Sequence, residues 1–256
     1  MLKWVKYLLA LVLCTCALHG VAQAEGITKY TPRIMGDPPP PPSFSWAGVY
    51  FDAGVGGSAA LFDLNAQAFD GEQQYGSAGL NGLGAWDWTG NARVGINMQQ
   101  QGSPLVFGVF AGYSLGSMKV EADISSISDS IGASAKLTPT WDVGAIIGWS
   151  GPNKSLLYTG YRYQMADFDL SLPGGLCGGV QGLNCSEQLG GHGLILGFKM
   201  PVSSALVLGI EYGYTKFDDV TVFNEGGTKV NLEPESHTVM LRGSLHIGPS
   251  LFGANY

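Results

Sequence analysis

The chain has 256 residues, of which 39 are glycine, 11% are aromatic and only 13% are charged, with a formal net charge of -7. The acidic balance excludes a basic nucleic-acid-binding surface, and the charge is too sparse for an ordinary soluble acidic domain. After residue 24 no window offers ~18 consecutive apolar residues, so no transmembrane helix is expected.

Lys3 and Lys6 precede an apolar run from Tyr7 to Leu18 and a small-x-small ending at Ala22 and Ala24. Residues 1–24 therefore read as a secretory signal peptide, too short for a spanning helix and lacking a basic stop-transfer flank. Cys14 and Cys16 leave with it. The mature chain keeps 11 Lys+Arg against 20 Asp+Glu. Residues 25–45, with prolines from Pro38 to Pro42, read as an extended periplasmic linker, because proline removes backbone donors and favours the polyproline path.

From Trp46 the apolar positions recur with period two, the signature of strands. Val49, Phe51, Ala53 and Val55 oppose Tyr50, Asp52, Gly54 and Gly56. Next, Trp86, Trp88, Ala92, Val94, Ile96 and Met98 oppose Asp87, Thr89, Asn91, Arg93, Gly95 and Asn97. A third strand sets Leu105, Phe107, Val109, Tyr113 and Leu115 against glycine and Ser114, and a fourth sets Leu137, Trp141, Val143, Ile147 and Trp149 against Thr138, Thr140 and Asp142. Pro139 falls near the start of that fourth strand, where a lost ladder donor is tolerable. Tyr158, Gly160, Arg162 and Gln164 alternate with Leu157, Thr159, Tyr161, Tyr163 and Met165. A hairpin follows through Leu194 to Met200 and Leu206 to Tyr214, with Lys199 and Glu211 on its second face; Val239, Leu241, Leu245 and Ile247 close the series opposite Arg242, Ser244 and His246.

Connections one, three, five and seven are expected to be long loops (58–84, 119–135, the cysteine segment and 220–235), and two, four and six short turns. Residues 46–247 are thus expected to form an all-β, eight-stranded antiparallel up-and-down transmembrane barrel with long extracellular loops and periplasmic termini, in the outer membrane of a Gram-negative bacterium. Residues 248–256 form a short C-terminal extension. Trp46, Trp86, Trp88 and Trp149 are expected in the aromatic girdles.

Period two also assigns Asp52, Asp87, Arg93, Asp142, Arg162, Lys199, Glu211 and Arg242 to the lumen, where four acids would pair with four bases as a polar plug. In an oxidising compartment Cys177 and Cys185 are expected to form a local disulfide, there being no CxxC and no cluster of further ligands to suggest a metal. Ser244 and His246 share a face and could imitate a nucleophile and base, making a lipid-modifying hydrolase the alternative, but no acid orients the histidine. A soluble lipocalin-type barrel would place its apolar face inside. No catalytic residue, metal or cofactor is expected.

Phe44 to Phe51 (FSWAGVYF) after the proline-rich lead, Leu156 to Tyr161 (LLYTGY), Leu208 to Tyr214 (LGIEYGY) and His237 to Gly243 (HTVMLRG) resemble the alphaproteobacterial outer-membrane immunogenic proteins, a branch of the opacity-type porin-family barrels. The similarity covers nearly all of residues 44–247. It implies roles in envelope integrity and in contact with a host or the surroundings, with at most limited porin-like permeability. The partners it implies are outer-membrane lipid, lipopolysaccharide and the barrel assembly machinery, with peptidoglycan or a host surface as further candidates. The barrel itself is expected to be a monomer. Members of this family end on an aromatic residue of the last strand, whereas here nine residues follow Ile247 and finish in Tyr256.

Overall fold

The structure, a computed structural model, describes residues 44–70, 73–100, 102–126, 129–171, 185–225 and 228–247. The signal peptide, nearly all of the linker, Cys177 and the C-terminal extension lie outside the described residues. Ten strands follow in order: β1 (Gly48–Asp70), β2 (Gln73–Gln99), β3 (Leu105–Leu115), β4 (Met118–Ser126), β5 (Asp129–Ser150), β6 (Leu156–Ser171), β7 (Ser186–Pro201), β8 (Leu206–Phe217), β9 (Val220–Glu225) and β10 (Thr228–Ile247). Pairing runs β1-β2-β3-β5-β6-β7-β8-β10, and β10 pairs back to β1 from Val49↔Ile247 to Ala68↔Thr228. The ring is closed and has eight antiparallel staves, as the period-two pattern requires. β4 continues the β3 stave beyond Gly116, and β9 continues the β8 stave beyond Asp219.

Closure removes the sheet edges that a bilayer would not tolerate. The outer face is apolar over about nine to eleven residues per stave, the span of a tilted strand in a bilayer: Trp141, Val143, Ile147 and Trp149 on β5, Leu194, Leu196 and Met200 on β7, Val239, Leu241 and Leu245 on β10 are all exposed. A soluble protein does not leave so continuous an apolar belt to water.

Beyond that belt the structure departs from the expected long loops. Residues 58–84, 118–135 and 220–235 are mostly strand, forming hairpins that run on past the barrel. β2 pairs with β3 only as far as Gly90↔Leu115, and β7 with β8 only as far as Gly191↔Phe217. Above those rows the cylinder divides into two four-stranded sheets, β2-β1-β10-β9 and β4-β5-β6-β7. Gly116 lies at the parting, with φ 120°, and a Cβ there would sit 2.9 Å from the carbonyl oxygen of Trp88. Only glycine serves at that position.

The two sheets bury an apolar core between them. Ala60, Phe62, Val220 and Leu232 come from one, and Met118, Leu137, Ala166, Phe168 and Leu189 from the other, with Phe217 at the junction. Leu137 was expected to face lipid. A bulge reverses its side, because Pro139 pairs with Ala166 and Asp142 with Gln164, so β5 holds one extra residue between those rows. Trp141 then faces out while Leu137 and Pro139 face in. The missing N–H of proline is tolerated where a bulge already interrupts the ladder.

A second apolar group fills the short-turn end: Trp46, Tyr50, Val106, Phe110, Ile146, Leu156, Tyr158, Ile195 and Val207. Many of the glycines assigned to a polar lumen make room for these rings. A Cβ on Gly95 would lie 2.4 Å from the Tyr50 ring, one on Gly197 2.3 Å from the Tyr158 ring, and one on Gly144 2.5 Å from the Phe110 ring. The glycines therefore do not widen the lumen. They let it be filled.

Candidate functional site

Between the two apolar layers lies the lumen charge cluster. Period-two alternation aims Asp52 (β1), Arg93 (β2), Asp142 (β5), Arg162 (β6), Lys199 (β7), Glu211 (β8) and Arg242 (β10) inward, and all seven are buried. Six of them form one alternating chain. Lys199 Nζ lies 2.7 Å from Asp52 Oδ2, and the Arg242 guanidinium bridges Asp52 Oδ1 and, at 2.9 Å, Glu211 Oε1. Arg93 then donates through Nη1 to both Glu211 oxygens at 2.8 and 3.1 Å, and through Nε and Nη2 to Asp142 Oδ2 at 3.1 and 2.7 Å. Three cations and three carboxylates from six staves thus neutralise one another, which is the condition for burying them at all.

Neutral side chains take up further lone pairs. Tyr158 donates to Glu211 at 2.8 Å, Ser244 donates to Asp52 at 2.7 Å, and Asn91 accepts from Arg242 while donating to Asp142 and Ser114. Phe110 covers the Arg93 guanidinium at 4.4 Å. The void left among Tyr50, Asp52, Arg93, Tyr158, Lys199 and Glu211 is about 10 Å³, room for roughly one water.

Two expected members behave differently. Asp87 has the inward parity, opposite Ser58, but sits above Gly90, where no described strand pairs with the far edge of β2; it is exposed and accepts the backbone N–H of Trp88. Arg162 is inside but makes no ion pair among the described residues; its Nε donates to Thr215 Oγ1 at 2.9 Å. The expected four-against-four balance is therefore four cations against three acids.

The girdle assignment also needs one correction. Trp86, Trp88 and Trp149 are exposed on the outer face, and Trp141 joins them. Trp46 is fully buried instead. Its indole donates to the Lys154 carbonyl at 2.9 Å, and its ring meets Phe44 and His246 edge-on, stoppering the short-turn mouth.

Ser244 and His246 share a face but do not meet as nucleophile and base. The serine hydroxyl is held by Asp52 and Lys199, while the imidazole stacks on Tyr50 at 5.3 Å and neither of its nitrogens has a hydrogen-bond partner among the described residues. No group of three or more metal-ligating side chains occurs among the described residues.

Cys185 is disulfide-bonded, and its backbone carbonyl accepts the N–H of Leu170 at 2.7 Å. With Cys177 as the expected partner the closed loop is short, and reduction is expected to remove about 2–3 kcal/mol at most, felt in loop order and not in the barrel. Mass spectrometry of protein from an oxidising envelope should find the 177–185 crosslink; two free thiols would refute it.

No protein-family model and no curated protein sequence matches the chain. Among solved structures it is similar to the outer membrane protein OprG from Pseudomonas aeruginosa (15% identity, 78% of this chain and 97% of that one, TM-score 0.46). Neisserial surface protein A matches at 15% identity over 78% and 98%, TM-score 0.39, and the outer membrane protease OmpT from Escherichia coli at 9% over 80% and 99%, TM-score 0.41. At TM-scores below 0.5 these likenesses say nothing of what this chain does. Its own geometry, a closed eight-stave ring with an apolar belt outside and a neutralised ion chain inside, is that of an outer-membrane β-barrel.

Proposed function

We propose that this outer-membrane barrel is a structural surface protein and not a solute channel, of the opacity-type group that its glycine-aromatic segments resemble. The observation that carries the reading is a lumen filled from end to end: the Trp46 layer, the ion chain with its void of about 10 Å³, and the apolar core between the two distal sheets. Its short-turn end, with both ends of the barrel segment, faces the periplasm, and the two sheets stand on the cell surface. Envelope integrity and surface contact are the roles that a filled barrel with protruding sheets fits. Outer-membrane lipid and lipopolysaccharide surround its belt, the barrel assembly machinery inserts it, and it works as a monomer. A catalytic role is not part of this reading, since Ser244 and His246 are engaged elsewhere.

Planar-bilayer recordings of the mature protein test it. No stable channel of porin size is expected. Steady ohmic steps that survive purification to homogeneity would show that the filled lumen opens, and the solute-porin alternative would then hold.

A further inference from the structure

We infer that an open groove at the short-turn rim of the barrel holds one anionic glycerophospholipid, its phosphate at Lys154 and the first part of its chains along Trp149 and Phe107. The inference rests on the reading that this end of the barrel faces the periplasm, where glycerophospholipid forms the leaflet. Space is the first ground. The groove has a volume of about 1260 Å³ and runs between residues 44–47, which lead into β1, and the turns at 102–104 and 151–154. That exceeds the ~300–1,000 Å³ of a site for a drug-sized molecule. Trp46, which stoppers the mouth, does not line it, whereas four side chains of the lipid-facing belt do. Gly102, on its wall, has φ 78°, and a Cβ added there would meet nothing within 4 Å.

The chemistry of the walls is the second ground. Met98 pairs with Phe107 and Leu105 with Trp149, so four exposed apolar side chains of β2, β3 and β5 stand together and carry the belt into the groove. Beyond them the wall turns polar. Among its described lining residues Lys154 alone is charged and none is acidic, in a chain with 20 Asp+Glu against 13 Lys+Arg. Lys154 is exposed and makes no ion pair with a described residue. Its backbone is fixed: the N–H donates to the Gly151 carbonyl at 3.0 Å, the carbonyl accepts the Trp46 indole at 2.9 Å, and φ is 60°. Ser103 Oγ accepts the N–H of Leu105 at 3.1 Å and keeps its own proton for an ester or phosphate oxygen. A lysine at a membrane surface attracts anionic lipid, and Trp149 belongs to the aromatic belt that marks the headgroup level. Phosphate at Lys154 bears on the turn that Trp46 pins, and so ties the stopper to the leaflet.

Native mass spectrometry of the folded mature protein, released from detergent micelles doped with equal amounts of phosphatidylglycerol and phosphatidylcholine, tests it. One phosphatidylglycerol is expected to be retained in roughly fivefold preference over phosphatidylcholine, the worth of one lysine beside an anionic lipid. Lys154→Gln keeps the backbone contacts to Gly151 and Trp46 and should remove the preference; Ser103→Asp, which brings a carboxylate into the groove, should do the same. Lys216→Gln, near the far end of β8 and paired with Glu233, should leave it unchanged. Heat-modifiable migration shows that each variant has folded, and if one of the two groove variants does not fold the other decides. Equal retention of the two lipids by the wild type, a preference that survives in the groove variants, or one that falls as far in Lys216→Gln would overturn the assignment and leave an unspecific annulus of lipid. Binding in micelles does not depend on orientation, so that reading is checked separately: a biotin maleimide should label Lys154→Cys only after the outer membrane is permeabilised. Labelling on intact cells would overturn the orientation, and with it phospholipid as the occupant.

Discussion

Arg93→Met is expected to lower the stability of the barrel by about 3–5 kcal/mol, because it leaves Asp142 and Glu211 buried without the cation that joins them. Arg93 spends four hydrogen bonds on those two carboxylates, and both it and Asp142 are shut off from solvent. For a barrel of this size that loss corresponds to a fall of roughly 6–20 °C in the heat-modifiable transition. Exchanging Arg93 and Asp142 together for apolar residues of matched volume should restore part of it, since no charge would then be orphaned across that link. Arg162→Ala should behave differently, because it leaves no carboxylate behind. If Arg93→Met melts with the wild type, water reaches the cluster and the lumen is not filled.

Phe168→Ala is expected to cost a similar ~3–5 kcal/mol, for a different reason. Phe168 is fully buried, pairs across the sheet with Leu137 and packs between the two distal sheets among Phe62, Met118 and Leu189. Its removal would leave a cavity lined by side chains from both sheets, which cannot collapse without moving one of them. The readout is the same gel transition, together with protease sensitivity of the distal hairpins. Conductance should stay absent, because the ion chain and the Trp46 layer remain. A variant with wild-type melting would mean that the two sheets do not pack on each other.

The barrel was legible in the sequence because lipid on one side imposes a strict period of two, and that pattern placed Phe51, Val94, Trp149, Leu194 and Leu241 outside with Asp52, Arg93, Lys199 and Glu211 inside. The closure, the antiparallel order and seven of the eight lumen charges follow from it. Four things did not. The Pro139 bulge shifts parity by one residue, and a proline there fits a strand start as well as a bulge, so period two alone puts Leu137 on the wrong face. The inward apolar side chains Val106, Phe110, Ile146 and Val207 alternate with glycine, which reads as space until the rings that occupy it are placed. The distal hairpins are rich in Gly, Ser, Asn and Gln, poor strand formers that read as loop, yet they are ordered by pairing and by the core between the sheets. Ion partners such as Lys199 with Asp52 or Arg93 with Glu211 depend on stave stagger across the lumen, which periodicity leaves open.

The seam between β1 and β10 gives the ion chain a part in assembly. Arg242 sits on the last stave and Asp52 on the first, 190 residues apart in sequence, so their contact needs a loop closure that spans nearly the whole barrel segment. Until the two staves meet, Arg242 cannot link Asp52 to Glu211, and the chain of charges is incomplete. A seam slipped by one residue would turn Arg242 and Ser244 toward lipid and Leu241 and Leu245 toward the carboxylates. Only the register Asp52↔Ser244 brings every charge to its partner. Closure of the barrel in register and completion of its ion chain therefore go together, and a seam slipped by one residue would leave those buried charges unpaired.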